Sequence, residues 1–204
     1  MFNSSALCEI ENIIKTGDSY PYIAQLKKYD QNTYQHSVNV CVLSYRIGTA
    51  MTYNEQDLYL LAQCGLMHDI GKIYMPRKTL FKKGILTDNE YDFVKKHTLI
   101  GYELVKNRTD IAEVIKHAIL CHHENEDGSG YPNHRTANQT HEFAKIVHIC
   151  DVYDAMISSR SYKDVMAPEI VSRYMEEKAD KMFNKKILNI FFSEVFPTFT
   201  AIRV

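Results

Sequence analysis

Side chains of metal-ligating type punctuate the middle of the chain: His36, the pair His68-Asp69, His97, the pair His122-His123, and Asp151. Successive clusters lie 25 to 32 residues apart. That is one helix plus one connection, so each cluster can sit on its own helix and point at a shared interior spot, as ligands do in helical bundles. Imidazole nitrogen and carboxylate oxygen suit manganese, iron and zinc, and the lack of cysteine in the set argues against a structural zinc knot. Asp69, next to His68, has two oxygens with which to bridge two metals. The donors outnumber what one tetrahedral ion takes and fit a two-metal site. Two metals about 3.5–4 Å apart activate water and clamp the attacking and leaving oxygens in phosphoryl chemistry. Lys72, one turn after His68, offers positive charge to a phosphate oxygen or leaving group. Directly after the double histidine comes Asp127-Gly128-Ser129-Gly130-Tyr131-Pro132. Gly128 and Gly130 permit backbone conformations closed to other residues, and Pro132 stiffens the turn. Together these residues suggest a metal-dependent hydrolase with a built-in substrate clamp.

Each residue has a plainer reading on its own. A lone histidine on an apolar helix face is more often a hydrogen-bonded core residue than a ligand, and a buried Asp151 could be a paired core carboxylate. The set shifts the balance, because burying so many polar groups without a counter-charge is costly. His117, His134, His141 and His148 fall outside the arrangement and are read as surface or structural residues.

The elements that must position these groups are helical. His36 shares a stripe with Val40, Leu43 and Ile47 on a helix near 33–50, and Val38, Cys41, Val42 and Tyr45 make further apolar faces. A helix apolar on most sides is buried. A helix near 55–68 turns Leu58, Leu61, Ala62 and Gly65 inward and ends in His68-Asp69; small Ala62 and Gly65 let another element come close. Thr87 and Glu90 form a capping box that opens the next helix. On that helix His97 falls in line with Phe93, Ile100, Gly101 and Leu104. Ile111, Ile115 and Ala118 lead by helical steps to His122, and Val147, Asp151 and Asp154 share a face of a helix from about 140 to 157. Leu7, Ile10, Ile13 and Ile14 mark a short amphipathic segment at 5–16, too small for its own core and expected to pack on the main body or on a partner.

The 204 residues fit one domain, or one with a helical extension. The charge balance, 24 basic against 25 acidic residues, gives no sign of a polyanion binder. The five cysteines are odd in number, form no CxxC pair and fall mostly in apolar helical patterns, as expected of a reducing compartment. The first residues lack the cationic start and apolar run of a signal peptide, and no stretch is long enough to span a membrane, so a cytoplasmic protein is expected.

His68-Asp69-Ile70-Gly71-Lys72, His122-His123-Glu124-x-x-Asp127-Gly128-x-Gly130-Tyr131-Pro132, Asp151-Val152-Tyr153-Asp154-Ala155 and Arg160-x-Tyr162-Lys163 closely resemble the motifs of the HD-GYP family, a subgroup of the HD-domain metal phosphohydrolases, over residues 33 to 195. The resemblance implies an all-α, HD-domain-like bundle of about seven helices with a GYP loop. Residues 31–204 would form the phosphohydrolase domain and 1–30 an N-terminal helical extension. It implies hydrolysis of the bacterial second messenger cyclic di-GMP to linear pGpG and often on to GMP. By family position His36, His68, Asp69 and Asp151 would hold one metal and Asp69, His97, His122 and His123 the other, with iron or manganese the usual ion. Lys72 would sit near the scissile phosphate, and Gly130, Tyr131, Pro132, Asp154, Arg160 and Lys163 would face the cyclic dinucleotide. A subset of the family carries a glutamate, associated with a third metal, four residues before the first histidine; here Asn32 stands there, so two metals are expected. Neither a nucleic-acid polymer nor a membrane is expected as a partner; the N-terminal helix is a candidate surface for a homodimer or a signalling partner. Two alternatives stay open: hydrolysis of another cyclic dinucleotide or phosphoester, and a receptor that binds a cyclic dinucleotide without turning it over.

Overall fold

A computed structural model describes residues 4–18, 20–82, 84–158 and 166–198. Among these residues the fold is all-α: the only β-type pairings are two isolated bridges, Asp127 with Thr136 and Ala179 with Phe183. The helices are α1 (Ser4–Asp18), α2 (Pro21–Tyr29), α3 (Gln31–Ala50), α4 (Glu55–Met67), α5 (Arg77–Leu80), α6 (Asp88–Lys95), α7 (His97–Val105), α8 (Glu113–Cys121), α9 (Glu142–Ile157), α10 (Pro168–Glu177) and α11 (Lys185–Ile190). A 3-10 turn, Ile70–Tyr74, follows α4.

The central strut is α3. Asp30 caps it by accepting the Thr33 amide hydrogen at 2.9 Å, which satisfies an otherwise orphaned donor. Most of its residues are buried, Val38 to Leu43 without a break, so it is wrapped by neighbours on nearly all sides. It packs on α2, α4 and α9. Contact with α4 is close because Gly65 has no side chain: a Cβ there would lie 2.8 Å from the Cys41 Cα. Asn54 caps α4 through the Asp57 amide, and Glu55 and Asp57 put negative charge at the positive end of its dipole.

The N-terminal segment packs on the body. Ile10, Ile13 and Ile14 are buried, α1 lies against α4, and the Gln63 side chain donates to the Ile13 carbonyl at 3.2 Å. The second short helix, α2, starts at Pro21 and buries Ile23 and Leu26. Two more elements extend the pattern read from sequence. The stretch expected as one helix from Thr87 to Leu104 is two, α6 and α7, separated at Lys96. At the C-terminal end Asn184 caps α11, which runs on into a π-turn, Phe191–Val195, that packs on α3 and stacks Phe191 edge-on against Tyr153 at 4.8 Å. No helix among the described residues is long and apolar enough to cross a membrane.

Candidate metal centre and substrate cavity

All seven ligand candidates meet at one place. His36 comes from α3, His68 and Asp69 from the end of α4, His97 from the start of α7, His122 and His123 from the end of α8, and Asp151 from α9. Ligand atoms of His36, His68 and Asp69 lie within 4.8 Å of one another, as do those of His97, His122 and His123, and of His68, His122 and Asp151. His68, Asp69 and His122 are wholly inaccessible, and His36, His97 and Asp151 are buried too.

The tautomers follow from what holds each ring. His68 Nδ1 donates to the Gly65 carbonyl at 2.7 Å, His97 Nδ1 to the Val94 carbonyl at 2.7 Å, and His122 Nδ1 to the Ile119 carbonyl at 3.1 Å. His36 Nδ1 donates instead to Asp154 Oδ2 at 2.6 Å. With the proton on Nδ1, the Nε2 atoms of His68, His97 and His122 present lone pairs to the centre, the form a metal takes, while His36 Nε2 lies 2.9 Å from Asp151 Oδ1. Those lone pairs are crowded against other acceptors: His97 Nε2 is 3.2 Å from His122 Nε2 and 3.3 Å from Asp69 Oδ1, and His68 Nε2 is 3.3 Å from Asp69 Oδ2. His68 Nε2 and Asp69 Oδ1 are buried without any hydrogen-bond partner. Buried acceptors facing one another are unfavourable unless positive charge sits between them. The donor set therefore fits divalent cations.

Protonation is also arranged for metal binding. Burial pushes the His97 imidazole down to about 4, against the pull of Asp69. Burial likewise drives His122 well below its ordinary value, helped by the neighbouring His123, His68 and His97. Burial opposes ionisation of Asp69, but the Lys72 ammonium, 2.5 Å from Oδ2, and the surrounding imidazoles hold its carboxyl well below the usual range.

Beside this cluster opens a cavity of about 580 Å³, lined by Lys72, Tyr91, His123, Tyr131, His148 and Tyr174 among others, a size typical of small-molecule sites. The loop after His123 forms one wall. Asp127 Oδ1 accepts from the Ser129 amide at 2.9 Å and from its hydroxyl. Gly130 lets the loop fold back on its root, since a Cβ there would sit 2.3 Å from the His123 carbonyl and 2.4 Å from the Asn125 nitrogen. The Tyr131 amide then donates to that His123 carbonyl at 3.0 Å, and the Tyr131 ring stacks on His123 with centroids 4.7 Å apart. Pro132 follows through a cis peptide bond and is not part of the lining.

Sequence reasoning missed the parts that hold the loop. Glu124 is buried, and its carboxylate accepts the amides of Asn133 at 2.8 Å and Arg135 at 2.9 Å. Asn184, the cap of α11, donates from its side-chain amide to Glu126 at 2.9 Å. His148, read as surface or structural, is buried and lines the cavity. One assignment is corrected. Asp154, expected to face substrate, is 0% exposed. Its carboxylate is taken up by His36 Nδ1, by Asn39 Nδ2 at 2.9 Å and by Ser158 Oγ at 2.9 Å. It fixes the orientation of the His36 ring, the place a carboxylate takes behind a histidine in metal sites. Arg160 and Lys163 lie outside the described residues.

The chain belongs to the HD-domain family, whose profile matches residues 22–187, and its GYP loop after the double histidine places it in the HD-GYP branch. It is 34% identical over 163 residues to a cyclic di-GMP phosphodiesterase of Thermotoga maritima, covering 79% of this chain and 44% of the relative. It is 36% identical over 141 residues to a cyclic di-GMP phosphodiesterase of Pseudomonas aeruginosa, covering 69% of this chain and 34% of the relative. The chain thus spans less than half the length of these relatives. The HD domain of the Listeria monocytogenes phosphodiesterase PgpH superposes with a TM-score of 0.66 at 18% identity, over 88% of this chain and 97% of that one, a likeness of fold.

Proposed function

We propose that this domain is a metal-dependent phosphodiesterase that opens cyclic di-GMP to the linear dinucleotide pGpG. The observation that carries the reading is the inward convergence of the Nε2 lone pairs of His68, His97 and His122 around Asp69, with the His36–Asp151 pair alongside, next to a cavity walled by Tyr131. The two relatives described above, both cyclic di-GMP phosphodiesterases by name, support the substrate. His36, His68, Asp69 and Asp151 would hold one divalent cation and Asp69, His97, His122 and His123 a second; this nitrogen and oxygen set accepts several ions, and iron or manganese is the choice by resemblance to the HD-GYP family. When bound, the pair supplies Lewis acidity toward a phosphodiester.

The chain's own groups do the rest. Asp154 and the backbone carbonyls hold the imidazoles in register. Lys72, which lines the cavity and touches Asp69, brings a positive charge to the phosphate oxygens and screens the charge that builds up as the ester bond breaks. The stacked pair of His123 and Tyr131 offers a flat wall for a base or ribose. Gly130 brings the loop backbone against the metal-binding helix end, so that wall stays fixed relative to the ligands.

The test is turnover of cyclic di-GMP by protein purified without oxygen and loaded with iron or manganese, with products separated by chromatography. Formation of pGpG is expected. Tight binding with no product after hours would instead make the domain a receptor, and hydrolysis of simple mononucleotides in preference to the cyclic dinucleotide would move it to another substrate class.

A further inference from the structure

His148 has no part in the metal cluster, yet it is 3% exposed and lines the substrate cavity. Its Nδ1 donates to the Glu124 carbonyl at 3.0 Å. That bond fixes the proton on Nδ1 and leaves Nε2 a pure acceptor. Nε2 is buried and has no hydrogen-bond partner. A buried acceptor on a cavity wall is stable only when something donates to it, and the ring cannot turn to find one, because Glu124 on one side and Phe183, edge-on at 5.1 Å, hold it. Asn125, which also lines the cavity, donates from its side-chain amide to Ser129 Oγ at 2.9 Å. The Tyr131 and Tyr174 rings line the same cavity.

We propose that His148 is a base-recognition residue whose Nε2 accepts a hydrogen bond from the N–H edge of a guanine in the substrate. The inference rests on the cyclic-dinucleotide reading above and sharpens it. At ring positions 1 and 2 guanine carries two adjacent N–H donors, where adenine carries a bare nitrogen and a C–H. A fixed lone pair opposite that edge attracts guanine and repels adenine. Sites built around such a bond discriminate strongly, because the wrong ligand leaves the buried group unpaired. The same Nδ1 bond joins α9 to the loop at Glu124, so His148 also couples base recognition to the position of that loop.

The experiment measures binding of the hydrolysis-resistant phosphorothioate analogues of cyclic di-GMP and cyclic di-AMP to the metal-loaded chain, as wild type, His148→Phe and His148→Gln. Wild type should prefer the guanine analogue by at least about tenfold, the size of one good hydrogen bond. The preference should collapse to within about twofold in His148→Phe and persist in part in His148→Gln, which keeps an acceptor. The ratio is internal to each variant, so a general loosening of the site, which weakens both analogues alike, does not imitate the result. An unchanged ratio in His148→Phe, or an equal loss for both analogues, overturns the proposal and leaves His148 as a tie between α9 and the loop. Turnover decides the other reading separately: a His148-dependent guanine preference without hydrolysis keeps the inference and removes the enzymatic function, whereas no binding of either analogue removes both.

Discussion

On the floor of the site, four imidazoles have Nδ1 tied down: His68, His97 and His122 to carbonyls in the preceding helical turn, and His36 to Asp154. His123, the outermost of the cluster, has no such bond and meets the rim at the Tyr131 ring, and α6, which brings Tyr91 to the cavity, buries no residue at all. The floor is made of helix ends locked into the core, and the rim of a loop and an exposed helix. Groups that must keep fixed mutual distances stand on rigid elements, while groups that must accept and release a ligand stand where packing is thin. Asp69 and Asp154 test the floor, Tyr131 tests the rim, and α9, which carries Asp151 and Asp154, joins the two.

Asp69→Ala should have the largest effect. It removes the one carboxylate shared by both halves of the cluster and leaves Lys72 without its partner. Turnover should vanish and metal content should fall, read by elemental analysis and product chromatography on the same sample. A metal-replete Asp69→Ala protein with normal activity would break the distinction between floor and rim. Asp154→Asn comes next. It keeps the shape behind His36 but removes the charge and sets an amide donor against that of Asn39. Metal affinity should weaken by about 10- to 100-fold, measured by competition with a chelator, while the helix content stays the same by circular dichroism. Tyr131→Leu should act on substrate alone. It removes the ring stacked on His123, raising KM for the cyclic dinucleotide by about tenfold, with metal content unchanged; a loss of metal instead would make the rim part of the floor.

The convergence of the seven candidate residues was legible in sequence because each sits at the inward position of a helix or at a helix end, and local periodicity shows that. The capping box at Thr87 and Glu90 was legible for the same reason, and it forms as expected. The break between α6 and α7 was hidden. Phe93, His97, Ile100 and Leu104 keep helical phase across it, and no glycine or proline marks it. It arises because the side chains of His97 and Thr98 take the carbonyls of Val94 and Lys95 at the end of α6, a competition with the backbone ladder that patterning does not reveal. The true partner of Asp154 lies 118 residues away on α3, and the carbonyl that orients His148 lies 24 residues away in the loop. Only folding brings either pair together. His141 was equally opaque: its Nδ1 caps α9 by accepting the Phe143 amide at 3.1 Å, and its own amide donates to His117 Nε2 at 3.1 Å.

That cap yields the smallest expected effect. Burial holds both imidazoles below their ordinary value of 6.5, with Arg135 adding to the shift at His117, and Glu142 and Asp57 opposing it at His141. As acceptors, both rings must be neutral. When the pH falls, the unfolded chain takes up protons before the folded one, so stability present above about pH 6.5 is lost as the pH drops through the folded values. His141→Ala should cost about 1 kcal/mol at neutral pH by loss of the cap. His141→Ser, which caps without titrating, should flatten the fall in melting temperature between about pH 7 and about pH 5. An identical acid slope in wild type and His141→Ser would show that the cap does not couple α9 to pH.

The most direct test of the account is elemental analysis of the anaerobically purified chain. Two iron or manganese ions per chain, lost together in Asp69→Ala, would agree with lone pairs gathered around a shared carboxylate. A well-folded chain that carries no metal and takes up none when ferrous or manganous ion is supplied would contradict it.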